Sequence, residues 1–280
     1  MRVAIAQITS SDQPAENLAL VLAFMEQSAG QDILFLPEVT NCLSLDSVHQ
    51  AQVLEHFDNN HFINAVCKKA RSLSLWVALG SIALKTYDAD GRLANRSILI
   101  DANGSVVAQY DKIHMFDATV SEVERYHESK GYRPGDTAIL ARTPWGGVGL
   151  SICYDLRFPT LYRTLAQAGA RILVVPSAFA QLTGEAHWHV LLRARAIETG
   201  CFVIAAAQTG VHPGSGRKTY GHSLIVDPWG QVILDAGQLP GLHFVELDLT
   251  DVDKVRARVA SLSQDRNFEV RYHTSHDQPY

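Results

Sequence analysis

Apolar residues recur along the chain in two alternating rhythms. Val3-Ala4-Ile5-Ala6 is a short unbroken apolar run, the pattern of a strand buried on both faces. Leu18, Val21, Leu22 and Met25 follow at i, i+3, i+4 and i+7, which predicts a helix over 14–28 with one buried side. Ile33-Leu34-Phe35-Leu36 predicts a second buried strand, stopped by Pro37. A helix around 60–72 and a strand over 76–79 come next. The arms 95–101 and 105–111, joined through Asn103-Gly104, predict a hairpin, because that dipeptide accepts the positive φ of a tight turn. The second half keeps the alternation, with strands over 148–152, 172–175 and 202–206 and helices over 159–169 and 185–199. Strands near 222–227 and 231–235 flank a turn at Asp227-Pro228-Trp229-Gly230, and a strand over 243–248 closes the set.

Buried strands joined through helices imply sheets covered by helices, and the hairpins require some antiparallel pairing. The expected class is therefore α/β with mixed sheets. No Pro-, Gly- or Ser-rich linker and no repeat interrupts the pattern. One domain is expected over 1–260, followed by a mobile C-terminal tail over 261–280 that is polar from Asn267 onward.

Composition narrows the function. Of 280 residues, 47% are hydrophobic and 19% charged, which supports a large core and excludes general disorder. The net charge is -5, from 24 Lys+Arg against 29 Asp+Glu, with no long block of either sign, so no nucleic-acid partner is expected. No apolar run reaches the ~18 residues that span a bilayer, and Met1–Gln7 lacks the form of a secretory leader, so no membrane association is expected. Four cysteines, at 42, 67, 153 and 201, are too scattered for a disulfide scaffold or a zinc cluster. A reduced, cytoplasmic setting is expected.

Four polar residues fall where chemistry is usually presented in α/β sheets, at the ends of strands or beside them. They are Glu38, Lys112, Glu128 and Cys153. Brought together they would suffice for acyl transfer: the thiol attacks, a carboxylate takes its proton, and the ammonium stabilises the oxyanion. Spacing alone does not bring them together. A strand-ending cysteine serves equally as an inert small hydrophobe, and a strand-end Glu or Lys as a solvated edge residue.

Phe35-Leu36-Pro37-Glu38, Tyr110-Asp111-Lys112-Ile113-His114, Glu128-Ser129 and Cys153-Tyr154-Asp155-Leu156-Arg157-Phe158-Pro159 occur in one order along the chain. They resemble the motif blocks of the nitrilase superfamily of carbon–nitrogen hydrolases, over residues 1 to about 255. The resemblance implies a four-layer α-β-β-α sandwich, commonly paired into homodimers or higher homo-oligomers. It also implies roles: Cys153 as nucleophile, Glu38 as general base and acid, Lys112 as the oxyanion-stabilising cation, and Glu128 as the carboxylate that positions Lys112 and the amide. No cofactor is implied. Pro176-Ser177-Ala178-Phe179, Thr183-Gly184, the run Leu191–Thr199 and Tyr220-Gly221-His222-Ser223 are most similar to the deaminated-glutathione amidase branch. That branch cleaves a small-molecule amide to 2-oxoglutarate and Cys-Gly. Omega-amidases, acting on 2-oxoglutaramate, are its neighbours, and a non-catalytic binding protein of the same fold is the remote alternative. Residues 115–127 depart from the family pattern and read as a charged loop.

Arg157, Tyr154 and Thr183 are the expected substrate-binding residues. Arg157 precedes Phe158-Pro159, a helix start, and an arginine there suits the carboxylate of a 2-oxo acid. Pairing of Arg157 with Asp155 or another fixed acid is the structural alternative. No metal site is expected: His187 and His189 are two apart on a helix and point away from each other. Gly214-Ser215-Gly216-Arg217-Lys218-Thr219 fails the phosphate-loop pattern and reads as a flexible loop near the pocket mouth. Arg193 and Arg195 read as structural, with Glu198 three residues from Arg195.

Overall fold

A computed structural model describes residues 1–122 and 124–272. Two mixed sheets carry the fold. The first has seven strands: Gly241–Glu246, Arg2–Gln7, Ile33–Phe35, Trp76–Ala78, Ala94–Ile100 and Ile82–Leu84 in order, with Val106–Asp111 paired on Ala94–Ile100. The second has six, in the order Val232–Asp235, Leu224–Val226, Phe202–Ala205, Ala170–Val174, Gly146–Leu150 and Leu140–Thr143.

Strand alternation explains the layering. Val3, Ile5, Ile33 and Phe35 of the first sheet join Val148, Leu150, Ile172 and Val174 of the second in one buried cluster, so these faces meet sheet on sheet. The intervening residues Ala4, Ala6 and Leu34 face the other way. They pack with Val21 and Met25 of the helix Pro14–Gln27 and with Phe62, Val66 and Ala70 of the helix His61–Leu73. On the far side of the second sheet lie the helices Pro159–Gln167 and Gln181–Thr199, which bury Leu161, Leu165, Trp188 and Leu192. The result is the expected α-β-β-α sandwich.

Several elements differ from the sequence reading, each for a local reason. Ile82–Leu84 and Leu140–Thr143 are strands too short to show a period. The helix Thr250–Arg258 buries only Val252 and carries five charged residues, so it has no apolar stripe to detect. Ser47–Val53 is a seven-residue helix capped by Asp46, whose Oδ1 accepts from the N–H groups of Val48 (2.9 Å) and His49 (3.2 Å). The helix predicted from 185 begins at Gln181 instead. Gly184 in its first turn is there for closeness: a Cβ would lie 2.3 Å from the Tyr220 ring. The charged stretch 115–127 is not simply a loop, because Asp117–Thr119 and Arg125–His127 pair as antiparallel strands. At the C-terminal end, Arg163 donates to Ser261 O (2.9 Å) and Gln167 to Leu262 O (3.0 Å) and Asp265 Oδ2 (2.7 Å). The rest of the expected tail, 273–280, lies outside the described residues.

Candidate active site

Glu38 follows the strand Ile33–Phe35 and is 4% exposed. The turn around it is tight. Val39 has φ 46°, unusual for a β-branched residue, and its N–H is held by Ser81 Oγ at 2.9 Å. Beside it Gly80, at φ 49°, lies so close that a Cβ would be 2.0 Å from Pro37 O. Lys112 leaves the end of Val106–Asp111, across the hairpin from Asn95, whose carbonyl accepts its N–H at 3.0 Å. Cys153 opens a 3₁₀ turn, Cys153–Arg157, directly after the strand Gly146–Leu150. Its φ is 50° and its N–H donates to Pro176 O at 3.0 Å.

The structure brings all four expected residues together. Lys112 Nζ, 2% exposed, donates to Glu38 Oε1 at 2.8 Å and to both oxygens of Glu128 at 2.9 Å. Glu38 Oε2 accepts from the Ala178 N–H at 2.8 Å, and Glu128 Oε2 from the Phe116 N–H at 2.6 Å. The Cys153 thiol borders the same cavity as Glu38 and lies near enough to it and to the Ala178 N–H for both to act on the sulfur. Burial pushes that thiol far up from its ordinary range and the neighbouring Glu38 charge pushes it further, so the resting sulfur is protonated. Burial would also raise Glu38, but the Lys112 ammonium and its hydrogen bond outweigh it and hold the carboxyl below its ordinary value; Arg217 adds to this. Lys112 is itself held well above its ordinary value, against burial, by Glu128 and Glu38. Cys153 therefore rests as a thiol, Glu38 as a carboxylate and Lys112 as an ammonium.

Two further residues belong to this site: Asn95 escaped the sequence reading, and Arg217 enters it only as part of a loop near the pocket mouth, without a role. Asn95 donates through Nδ2 to Glu38 Oε1 (2.9 Å) and to Glu128 Oε1 (3.3 Å), bridging the two acids. The hairpin register was the available signal, since it sets position 95 opposite 112. Arg217 lies on the glycine-containing turn between the strands Thr209–Val211 and Lys218–Tyr220. Its guanidinium stands 5.0 Å from the centre of the Tyr126 ring and donates to Ala178 O.

Two hollows meet at Cys153. A cavity of about 430 Å³ is lined by Glu38, Glu128, Lys112, Arg125, Tyr126 and Arg217 among others. On the other side a narrow cleft of about 10 Å³ is lined by Tyr154, Arg157, Phe179 and Thr183. Arg157 does not pair with Asp155. Buried Asp155 instead accepts from Ile152 N–H (2.8 Å), Tyr110 O–H (2.7 Å) and His114 N–H (3.0 Å). Arg157 faces the Phe179 ring at 5.6 Å and the Tyr154 ring at 5.9 Å, and among the described residues its one hydrogen-bond contact is to His187 at 3.3 Å. Thr183 Oγ1 donates to Ala180 O at 3.2 Å.

The remaining motifs have structural partners. Arg195 is buried, donates to Leu156 O (2.8 and 3.1 Å) and pairs with Glu198 at 2.9 Å. Arg193 donates to Gly230 O at 2.8 Å. His189 does meet other polar groups: it and His222 each hold one oxygen of Asp235, at 2.9 and 2.8 Å. These are ring-to-carboxylate hydrogen bonds that join a helix, a strand and a connecting segment, a meeting that helical spacing could not foresee.

A thiol, two carboxylates and an ammonium converging at one end of an α-β-β-α sandwich are the equipment of an acyl-transfer enzyme. The carbon-nitrogen hydrolase family matches residues 2–257, and the chain belongs to that family. It is thus a hydrolase of carbon–nitrogen bonds in amides other than peptides. The chain is 36% identical over 266 residues to the deaminated glutathione amidase of Yersinia enterocolitica, covering 94% of this chain and 92% of that one. It is 40% identical over 259 residues to the Mus musculus enzyme of the same name, covering 91% and 80%. Among solved structures, the Caenorhabditis elegans NitFhit protein matches with a TM-score of 0.87 at 36% identity, covering 95% of this chain; the chain spans 65% of that protein. Saccharomyces cerevisiae Nit3, a member of branch 10 of the nitrilase superfamily, matches with a TM-score of 0.84 at 27% identity, covering 96% and 97%. Among the described residues no helix is long and apolar enough to cross a membrane.

Proposed function

We propose that this chain, as one catalytic domain over 1–260, hydrolyses deaminated glutathione to 2-oxoglutarate and Cys-Gly through a thioester on Cys153. The observation that carries the chemistry is the Cys153 thiol against Glu38, with Lys112 locked between Glu38 and Glu128 at 2.8–2.9 Å. The amide names of the relatives supply the substrate class.

The reaction divides among these groups. Cys153 sulfur bonds to the amide carbon while its proton passes to Glu38. A carboxylate held low is a weak base and a buried thiol a weak acid, so transfer and attack occur together rather than through a standing thiolate. The amide oxygen becomes an oxyanion beside the Lys112 ammonium, whose side chain is only 2% exposed, so solvent screens the attraction little. Glu38 then gives its proton to the nitrogen as the C–N bond breaks, leaving the amine free and the acyl group on sulfur. Water enters, loses a proton to Glu38, and displaces the sulfur, which recovers that proton. Glu128 and Asn95 hold Lys112 and Glu38 in register throughout.

The 2-oxo acid carboxylate is assigned to Arg157, with Tyr154 and Thr183 lining the same cleft. As it stands the cleft is too narrow for a five-carbon acyl chain. Among the described residues Arg157 has one hydrogen-bond contact, at 3.3 Å to His187, and no ion pair, so it can turn onto a carboxylate and widen the cleft. In this reading the enzyme is cytoplasmic, where a nucleophilic thiol stays reduced. It is also a homodimer, for which Val190 and Ile197, both exposed on the helix Gln181–Thr199, supply an apolar face.

A turnover panel of deaminated glutathione, 2-oxoglutaramate and a neutral short amide tests the assignment. Deaminated glutathione is expected to have the highest kcat/KM, and Arg157→Lys to raise KM for both 2-oxo acids well above any rise for the neutral amide. A clear preference for 2-oxoglutaramate would make the protein an omega-amidase instead.

A further inference from the structure

The two hollows at Cys153 are not chemically alike. Glu38 and Glu128 line only the large cavity, whereas Tyr154, Arg157 and Thr183 line only the narrow cleft; Cys153 borders both. The proton taken from the thiol must reach the departing nitrogen through Glu38, so that nitrogen has to lie on the Glu38 side of the sulfur. The acyl group stays on the sulfur and lies on the opposite side. The large cavity is thereby the place of the leaving group.

Its size and charge say what kind of amine departs. At about 30 Å³ per water, 430 Å³ holds roughly a dozen molecules, far more room than ammonia needs. Its wall carries Arg125, Lys130 and Arg217. Among the described residues none of these three stands in an ion pair, although the chain as a whole carries -5. Arg217 Nε is buried without a hydrogen-bond partner. The two acids in the wall, Glu38 and Glu128, are already committed to Lys112. Three cations with no ion-pair partner among the described residues, around one concavity in an acidic protein, focus a positive potential on it.

We propose that this cavity is a leaving-group subsite in which Arg125, Lys130 and Arg217 bind a carboxylate carried by the departing amine, as a dipeptide does at its C-terminus. The assignment rests on the amidase reading above. It makes specificity two-sided, with one carboxylate recognised in the cleft and another in the cavity.

The experiment compares deaminated glutathione with the same molecule bearing a C-terminal glycinamide, in the wild type and in the double variant Arg125→Gln/Lys130→Gln. Both positions are exposed, so the variant is expected to fold, and a thermal melt checks it. Arg217 is left intact because it also holds Ala178 O, and the N–H of the same residue donates to Glu38. The wild type should favour the free acid by about ten- to a hundredfold in kcat/KM, the worth of one or two charge-assisted hydrogen bonds. In the folded variant that ratio should fall severalfold through KM, toward what Arg217 alone sustains. Equal wild-type rates on acid and glycinamide, or a ratio that survives undiminished in the variant, would overturn the subsite. If the wild type cleaves neither compound nor 2-oxoglutaramate, the amidase reading itself fails and the subsite with it.

Discussion

Cys153 holds a left-handed backbone conformation at φ 50°, which costs a side-chain-bearing residue roughly 1–2 kcal/mol. The strain has a use, since it turns the thiol off the sheet and onto Glu38. Cys42 shows the contrast. It borders the same cavity, but burial and the Asp12 charge push its thiol up to about 12, and its sulfur donates to the backbone Asp12 O at 3.4 Å rather than to a carboxylate. Replacing Cys153 by Ala should therefore remove turnover by several orders of magnitude, and Glu38→Gln should lower kcat by about 10²–10⁴, as measured by steady-state assay on folded protein. The pH profile follows from the same directions. Glu38 is held low and the thiol and Lys112 are held high, so none of them changes state near neutrality. We expect kcat/KM to be flat from about pH 6 to 8.5 and to fall only in acid, as Glu38 takes up a proton. A rate climbing tenfold per pH unit through this range, the behaviour of a titrating free thiol, would contradict the proton-transfer scheme.

At the scale of elements, the 3₁₀ turn Cys153–Arg157 is fixed from two sides. Asp155 ties it to the strand carrying Tyr110 and to the His114 backbone, and Arg195 ties Leu156 O to the helix Gln181–Thr199. Asp155→Ala would leave buried donors without acceptors and should cost about 3–5 kcal/mol in denaturant unfolding, with kcat falling alongside. An unchanged unfolding midpoint would show the turn to be held otherwise. The hairpin bearing Arg217 has its own lock. Buried His212 donates through Nδ1 to Ser10 O (2.9 Å), so Nε2 accepts from Thr219 Oγ1 (2.8 Å) and the ring is neutral. Burial lowers its pKa to about 4, below an unfolded value of about 6.5. Between those values the unfolded chain binds the extra proton, so stability from this group is complete above pH 6.5 and lost as pH falls toward 4. Thermal melts of His212→Gln should consequently lose less between pH 6.5 and 4 than the wild type; parallel losses would refute the assignment.

For the whole molecule, what could be read in the letters was whatever depends on a local period. The buried strands, the amphipathic helix with Val21 and Met25, and the hairpin turned by Asn103-Gly104 all appear where their spacing placed them. Elements without a period, such as the charged helix Thr250–Arg258, did not announce themselves. The meeting of Glu38, Lys112, Glu128 and Cys153 depends on how one sheet lies over the other, which no spacing encodes; the family motifs made it legible instead. The loop of Arg217 reads as lying near the pocket mouth, but the role of its side chain stayed hidden because its reach into the cavity is set by a loop 64 residues beyond Cys153.

The central claim is an acyl group on Cys153 during turnover. Acid-quenching the enzyme within its first turnovers on deaminated glutathione, then mapping its peptides by mass spectrometry, tests this most directly. The account predicts added mass equal to one 2-oxoglutaryl group, confined to the peptide that contains Cys153 and absent from Cys153→Ala. Undiminished release of Cys-Gly by folded Cys153→Ala, or the same group mapped to another residue, would contradict it.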